Sequence, residues 1–137
     1  MFFKKKNNIN ETKGLVKVAA LLIYAAKIDE NYSQHEEEII KKTLLEMGAN
    51  NENIAEIIKN GKEIETNSNQ ILDFTKQVKN MDYEDKIKII ESLWKIIYSN
   101  KEADIYETSL MRRLAGLLYI DSKTMGDIKN KIKDQHS

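Results

Sequence analysis

Along most of the chain, apolar residues recur at spacings of three and four, the signature of helices with one face turned inward. Leu15, Val18, Ala19, Leu22, Ile23 and Ala26 form the first such stripe. Asn10 stands where it can cap a helix running from about Glu11 to Ile28. Ile39, Ile40, Leu44 and Met47 mark a second helix from about Gln34, closed by Gly48 in the left-handed position that ends helices. A third carries Ile54, Ile57, Ile58 and Ile64 behind a cap at Asn51, and stops at the polar turn Thr66-Asn67-Ser68-Asn69. Ser68 is expected to cap a fourth helix with Ile71, Phe74 and Val78 inward. The fifth begins at Asp82 and carries Ile87, Ile90, Leu93, Trp94 and Ile97. The sixth carries Leu110, Met111, Leu114 and Leu117, and the seventh, after Ser122, carries Met125, Ile128 and Ile132. The pattern predicts an all-α fold of about seven helices in one compact domain over residues 11–133, between a flexible segment 1–10 and a tail 134–137.

Composition narrows the picture further. Proline is absent and only five of 137 residues are glycine, so the punctuation of a turn-rich sandwich or barrel is missing. The absence of cysteine excludes a disulfide framework, a thiolate nucleophile and a Cys-ligated zinc. Two histidines, His35 and His136, are too few for a histidine-rich metal site. The 22 basic and 22 acidic side chains cancel, which excludes the cationic surplus that a nucleic-acid partner requires. No glycine-rich phosphate loop, nucleophile elbow or HExxH helix occurs, so a non-enzymatic role is expected. The longest apolar run, Val16 to Ala26, is broken by Lys17 and falls short of the roughly 20 residues a membrane span needs. A soluble cytoplasmic protein is the expectation, with at most weak membrane-surface contact through Phe2, Phe3, Lys4, Lys5 and Lys6.

The chain also repeats itself. With Asp29 placed on Asn100, Leu22 meets Leu93, Ile23 meets Trp94 and Ala26 meets Ile97. Beyond the intervening loop Glu36 meets Glu107, Ile39 meets Leu110, Ile40 meets Met111, and Lys41-Lys42 meets Arg112-Arg113. Each copy is an apolar helix, a short acidic loop and an amphipathic helix, a hairpin duplicated about the third and fourth helices. Ser33-x-x-Glu36 and Asp104-x-x-Glu107 both read as capping boxes for the helix that follows. Capping leaves Asp29, Glu30, Asn31, Asn100 and Glu102 unexplained, because a helix C-terminus disfavours nearby carboxylates.

The sequence Leu22-Ile23-Tyr24-Ala25-Ala26-Lys27-Ile28-Asp29 with Ser33 and Glu36 resembles the TerB family, known from tellurite-resistance operons. So does the second copy, Leu93-Trp94-Lys95-Ile96-Ile97-Tyr98-Ser99-Asn100 followed by Glu102, Asp104, Tyr106-Glu107 and Leu110-Met111-Arg112-Arg113-Leu114-Ala115. The resemblance implies a seven-helix fold with duplicated helix hairpins and metal binding by acidic loop residues, at positions matched here by Asp29, Glu36, Glu102 and Glu107. Asn100 stands where the family usually has Asp, and Glu30 and Lys101 where it has Gly.

Oxygen ligands suit calcium, magnesium or manganese, and Asp29, Asn31, Glu36, Asn100, Glu102 and Glu107 supply them if the two loops meet. The competing reading is capping plus a solvated acidic face, since five acidic and no basic residues lie between Asp29 and Glu38. Trp94 and Tyr24 fall on apolar stripes and are expected in the core, and His35 on a charged helical turn. The resulting expectation is a TerB-like stress-response module that binds a protein partner, with or without a divalent cation between its loops. The alternative is a metal-independent interaction or oligomerisation domain, like the related one preceding the J-domain in DjlA-type co-chaperones.

Overall fold

A computed structural model describes residues 2–28, 33–68, 71–99 and 105–135, with side chains described from Thr12 in the first helix and from Ser109 in the sixth. The helices are α1 (Phe2–Ala26), α2 (Gln34–Glu46), α3 (Ile54–Asn67), α4 (Leu72–Val78), α5 (Tyr83–Tyr98), α6 (Ile105–Leu117) and α7 (Ser122–Gln135). No strand occurs among the described residues.

α1 is the centre of the fold. It packs on α2, α3, α4 and α5, and every residue from Val18 to Ile23 is fully buried. In place of the single inward stripe read from the sequence, the segment from Val18 to Ile23 is enclosed on all sides. Its small residues make that possible. A Cβ added at Gly61 of α3 would stand 2.7 Å from Ala19 Cβ and 3.2 Å from Ala20 N, so the two helices cross at backbone contact. Around this crossing Phe74, Ile57, Ile71, Ile89, Ile90 and Leu93 close a continuous apolar core.

Several helix starts differ from expectation for local reasons. α1 begins at Phe2 rather than near Glu11, so Asn10 lies within the helix and caps nothing. Nothing between Phe2 and Asn10 would break a helix, neither glycine nor proline. Ser68 closes α3 instead of opening α4, which starts behind Ile71. Asn50, not Asn51, organises the entry to α3: its Oδ1 accepts from Glu52 N at 2.9 Å and Asn53 N at 3.0 Å, while its own amide donates to Asn53 Oδ1 at 2.9 Å.

The duplication is longer than the hairpin seen in the sequence. In its register Gln34 falls on Ile105 and Glu46 on Leu117, so α2 and α6 begin and end at equivalent residues. Both end in the same pair of backbone bonds. Gly48 N donates to Leu45 O at 3.3 Å and Ala49 N to Leu44 O at 2.9 Å; Tyr119 N donates to Gly116 O at 3.4 Å and Ile120 N to Ala115 O at 2.9 Å. These are Schellman closures, with Gly48 at φ 120° and Tyr119 at φ 59° in the left-handed position. Asp121, equivalent to Asn50, then accepts from Thr124 N at 3.1 Å, and α7 packs on α5 as α3 packs on α1. Ile54 and Ile57 of α3 correspond to Met125 and Ile128 of α7, all buried. The unit repeated is thus three helices, with α4 inserted between the copies.

Candidate functional site

The chain leaves α1 through Lys27 and Ile28, whose amides close on Ile23 O at 3.0 Å and Ala25 O at 3.4 Å. Lys27 Nζ reaches Glu65 Oε1 of α3 at 2.7 Å, which fixes this end of α1 against its neighbour. The chain re-enters helix at Ser33, whose extended backbone (φ −90°, ψ 165°) opens α2. Here the capping box read from the sequence is complete: Glu36 N donates to Ser33 Oγ at 3.1 Å and Ser33 N donates to Glu36 Oε1 at 2.8 Å.

Glu36 is 0% exposed. Burial sets Glu36 apart from a solvated acidic face, while its capping role is retained. A carboxylate leaves water at a cost of several kcal/mol, offset only by hydrogen bonds or a charge partner. The Ser33 amide supplies one such bond. Its neighbours differ from it. Glu37 pairs with Lys62 of α3 at 2.8 Å, and Glu38 and His35 face solvent.

Of the six candidate ligands, Glu36 is the one whose side chain the structure describes. Asp29, Asn31, Asn100 and Glu102 lie outside the described residues, as does Asp104 of the second capping box. Glu107 lies in α6, and its side chain is likewise outside them. Among the described residues, no three His, Asp or Glu come together in a way that would hold a metal ion. The donor chemistry itself fits a hard cation: oxygen throughout, with one carboxylate already withdrawn from water at the start of α2.

Trp94 lies in the core, and Tyr24 is half-buried against it. Trp94 is 3% exposed and stacks on Tyr98 at 5.9 Å and 26°, with Lys129 Nζ 5.4 Å from its ring centre. Tyr24 tilts against Phe74 at 5.9 Å. Burial pushes the Tyr98 phenol above its ordinary value. Trp94 Nε1 is buried without a hydrogen-bond partner among the described residues.

Sequence reasoning missed a buried pair of hydroxyls. Thr43 Oγ1 donates to Ile39 O at 2.8 Å and is itself hydrogen-bonded to Ser92 Oγ, joining α2 to α5. The repeat register held a signal: the equivalent positions are Leu114 and Leu21, both fully buried, so polar residues there break the pattern.

A duplicated three-helix unit around a buried central helix, with a capped acidic entry to α2, defines an all-α module without strands among its described residues. The family model described as "Tellurite resistance protein TerB" matches residues 15–130, and the chain belongs to that family. Comparison with curated proteins and with solved structures yields no match. No helix among the described residues is long and apolar enough to cross a membrane.

Proposed function

We propose that the chain is a non-enzymatic, cytoplasmic binding module of a tellurite-resistance or stress-response system, which takes a divalent cation at its acidic loops and offers a fixed surface to a protein partner. The observation that carries this reading is Glu36, a carboxylate with no exposure at the first turn of α2. Asp29, Asn31 and Glu36 from the first copy, with Asn100, Glu102 and Glu107 from the second, would hold the ion. The ion would supply charge neutralisation between carboxylates that otherwise repel. Helix pairs from the two copies would then be held in one arrangement, which is what a partner would recognise.

Thermal unfolding of chelator-treated protein tests this, with calcium, magnesium or manganese added singly, beside a Glu36→Gln/Glu102→Gln variant. An ion at a hundred times its dissociation constant adds about 2.7 kcal/mol, enough to raise the midpoint by several degrees. The expected result is a rise in the native chain that the variant lacks. No rise with any ion, or an equal rise in both, overturns the cation reading and leaves the metal-independent interaction domain.

A further inference from the structure

Between α2 and α5, from His35 in the first turn of α2 to Gln135 at the end of α7, lies a cleft of about 450 Å³. That is the size of pockets that hold small metabolites. The Thr43–Ser92 hydroxyl pair lies in its lining, with the apolar edge of Ile39 beside it. The α2 wall presents Glu38, Lys42 and Glu46, and the α5 wall Lys88, Glu91 and Lys95.

Two observations separate this cleft from an ordinary charged surface. The first is the repeat, which provides an internal control. Thr43, Glu46, Glu91, Ser92 and Lys95 correspond to Leu114, Leu117, Ala20, Leu21 and Tyr24. Five lining positions that are polar here are thus apolar in the other copy, whereas Lys42 and Lys88 fall on Arg113 and Lys17, cationic in both. The second is how the charges are used. Glu91 is spent on Lys131 at 3.0 Å, whereas Lys42, Lys88 and Lys95 form no ion pair among the described residues.

The hydrogen-bond directions define what would fit. Thr43 gives its proton to Ile39 O, so the Ser92 hydroxyl donates to Thr43 and keeps lone pairs free to accept. The lining there and the carboxylates of Glu38 and Glu46 want hydroxyl donors, and the three ammonium groups want an oxyanion. We infer that the α2–α5 cleft is a binding site for a small hydroxylated phosphate ester, its phosphate among Lys42, Lys88 and Lys95 and its hydroxyls on Ser92, Glu38 and Glu46. None of the six candidate cation ligands is among the described residues that line this cleft, so the site stands whether or not they take a cation.

Titration of the full chain, followed by amide NMR shifts at Thr43, Ser92 and Lys95, tests it with four probes: ribose 5-phosphate, adenosine 5′-monophosphate, ribose and inorganic phosphate. Saturable shifts are expected with the two esters, and whichever binds tighter tells a sugar phosphate from a nucleotide. Ribose and phosphate alone are expected to bind at least about tenfold more weakly, as each lacks half of the contacts. Lys42→Gln and Lys95→Gln should each weaken ester binding about tenfold, while Lys41→Gln, which removes the same charge from α2 outside the cleft, should not. The absence of saturation with either ester, phosphate binding as tightly as the esters, or equal losses in all three variants would overturn the assignment.

Discussion

Tyr119 ends α6 in the left-handed conformation at the position where Gly48 ends α2, with φ 59° against φ 120°. Glycine bears no penalty there, whereas a side chain meets the neighbouring carbonyl at roughly 1 kcal/mol. Tyr119 is 71% exposed, so packing does not offset that strain. Two lysines do so in part, with Lys79 Nζ 5.8 Å and Lys86 Nζ 5.9 Å from its ring centre, Lys86 also donating to Leu118 O at 3.1 Å. Gly48→Ala is expected to cost about 1 kcal/mol through backbone conformation alone, since a Cβ there meets nothing within 4 Å. Tyr119→Gly trades strain relief against the lysine contacts and should fall within about 0.5 kcal/mol of the parent by urea denaturation.

The helical glycines divide by what surrounds them. Gly61→Ala drives a methyl to 2.7 Å from Ala19 Cβ, and should destabilise by about 1–3 kcal/mol despite the better helix propensity. Gly126→Ala meets nothing within 4 Å in α7, and should stabilise by about 0.5–1 kcal/mol. Opposite shifts of the denaturation midpoint for the two variants would confirm that the α1–α3 crossing is set by backbone contact. Equal shifts would refute it.

Trp94 carries a buried N–H with no acceptor among the described residues, a group whose desolvation costs about 1–3 kcal/mol. Trp94→Phe removes that N–H and keeps a ring against Tyr98, so the lost volume is largely offset and the net cost should stay below about 1 kcal/mol. Trp94→Ala should cost about 3–5 kcal/mol. Circular dichroism is the suitable probe, because Trp94 is the one tryptophan in the chain. A Phe variant as unstable as the Ala variant would show that the indole N–H is partnered after all.

Two groups should shape the pH dependence. The hydroxyl and then the amide of Thr124 hold the Asp121 carboxyl below its ordinary value of 3.8. Its folded form is thus the better acid: its contribution is present above that value and is lost as pH falls through the lower folded one. Asp121→Asn keeps an acceptor oxygen without titrating, so its stability should fall less on acidification. Tyr98 runs the other way. Its phenol titrates above 10.0 in the fold, so its contribution is complete below that pH and disappears as pH rises through the folded value. Tyr98→Phe should flatten the alkaline limb; an unchanged limb would place the phenol in contact with water.

How much was legible in the sequence follows from the range of each interaction. The Ser33–Glu36 box was readable because both partners lie within one turn, and Gly48 because few residues accept its backbone angle. Glu36 burial was not readable, since it depends on how α2 settles against the rest of the fold. The Asn10, Asn51 and Ser68 caps failed because Asn and Ser cap helices only where the helix in fact ends, and neighbouring polar residues compete for that place. The third repeated helix went unread because Gly61 faces Ile132 in the register, a pairing that sequence similarity hides and helix crossing explains.

The burial of Val18 to Ile23 on every side of α1 bears on how the molecule comes apart. A duplicated chain invites division into halves, yet neither half would retain a covered α1, since α2 and α3 of its own copy, the inserted α4 and α5 of the other copy all pack on it. The amides of Val18 to Ile23 should therefore be among the slowest to exchange with deuterium, opening only with global unfolding. Loss of structure should be a single cooperative event, and a fragment cut between α4 and α5 should not hold together.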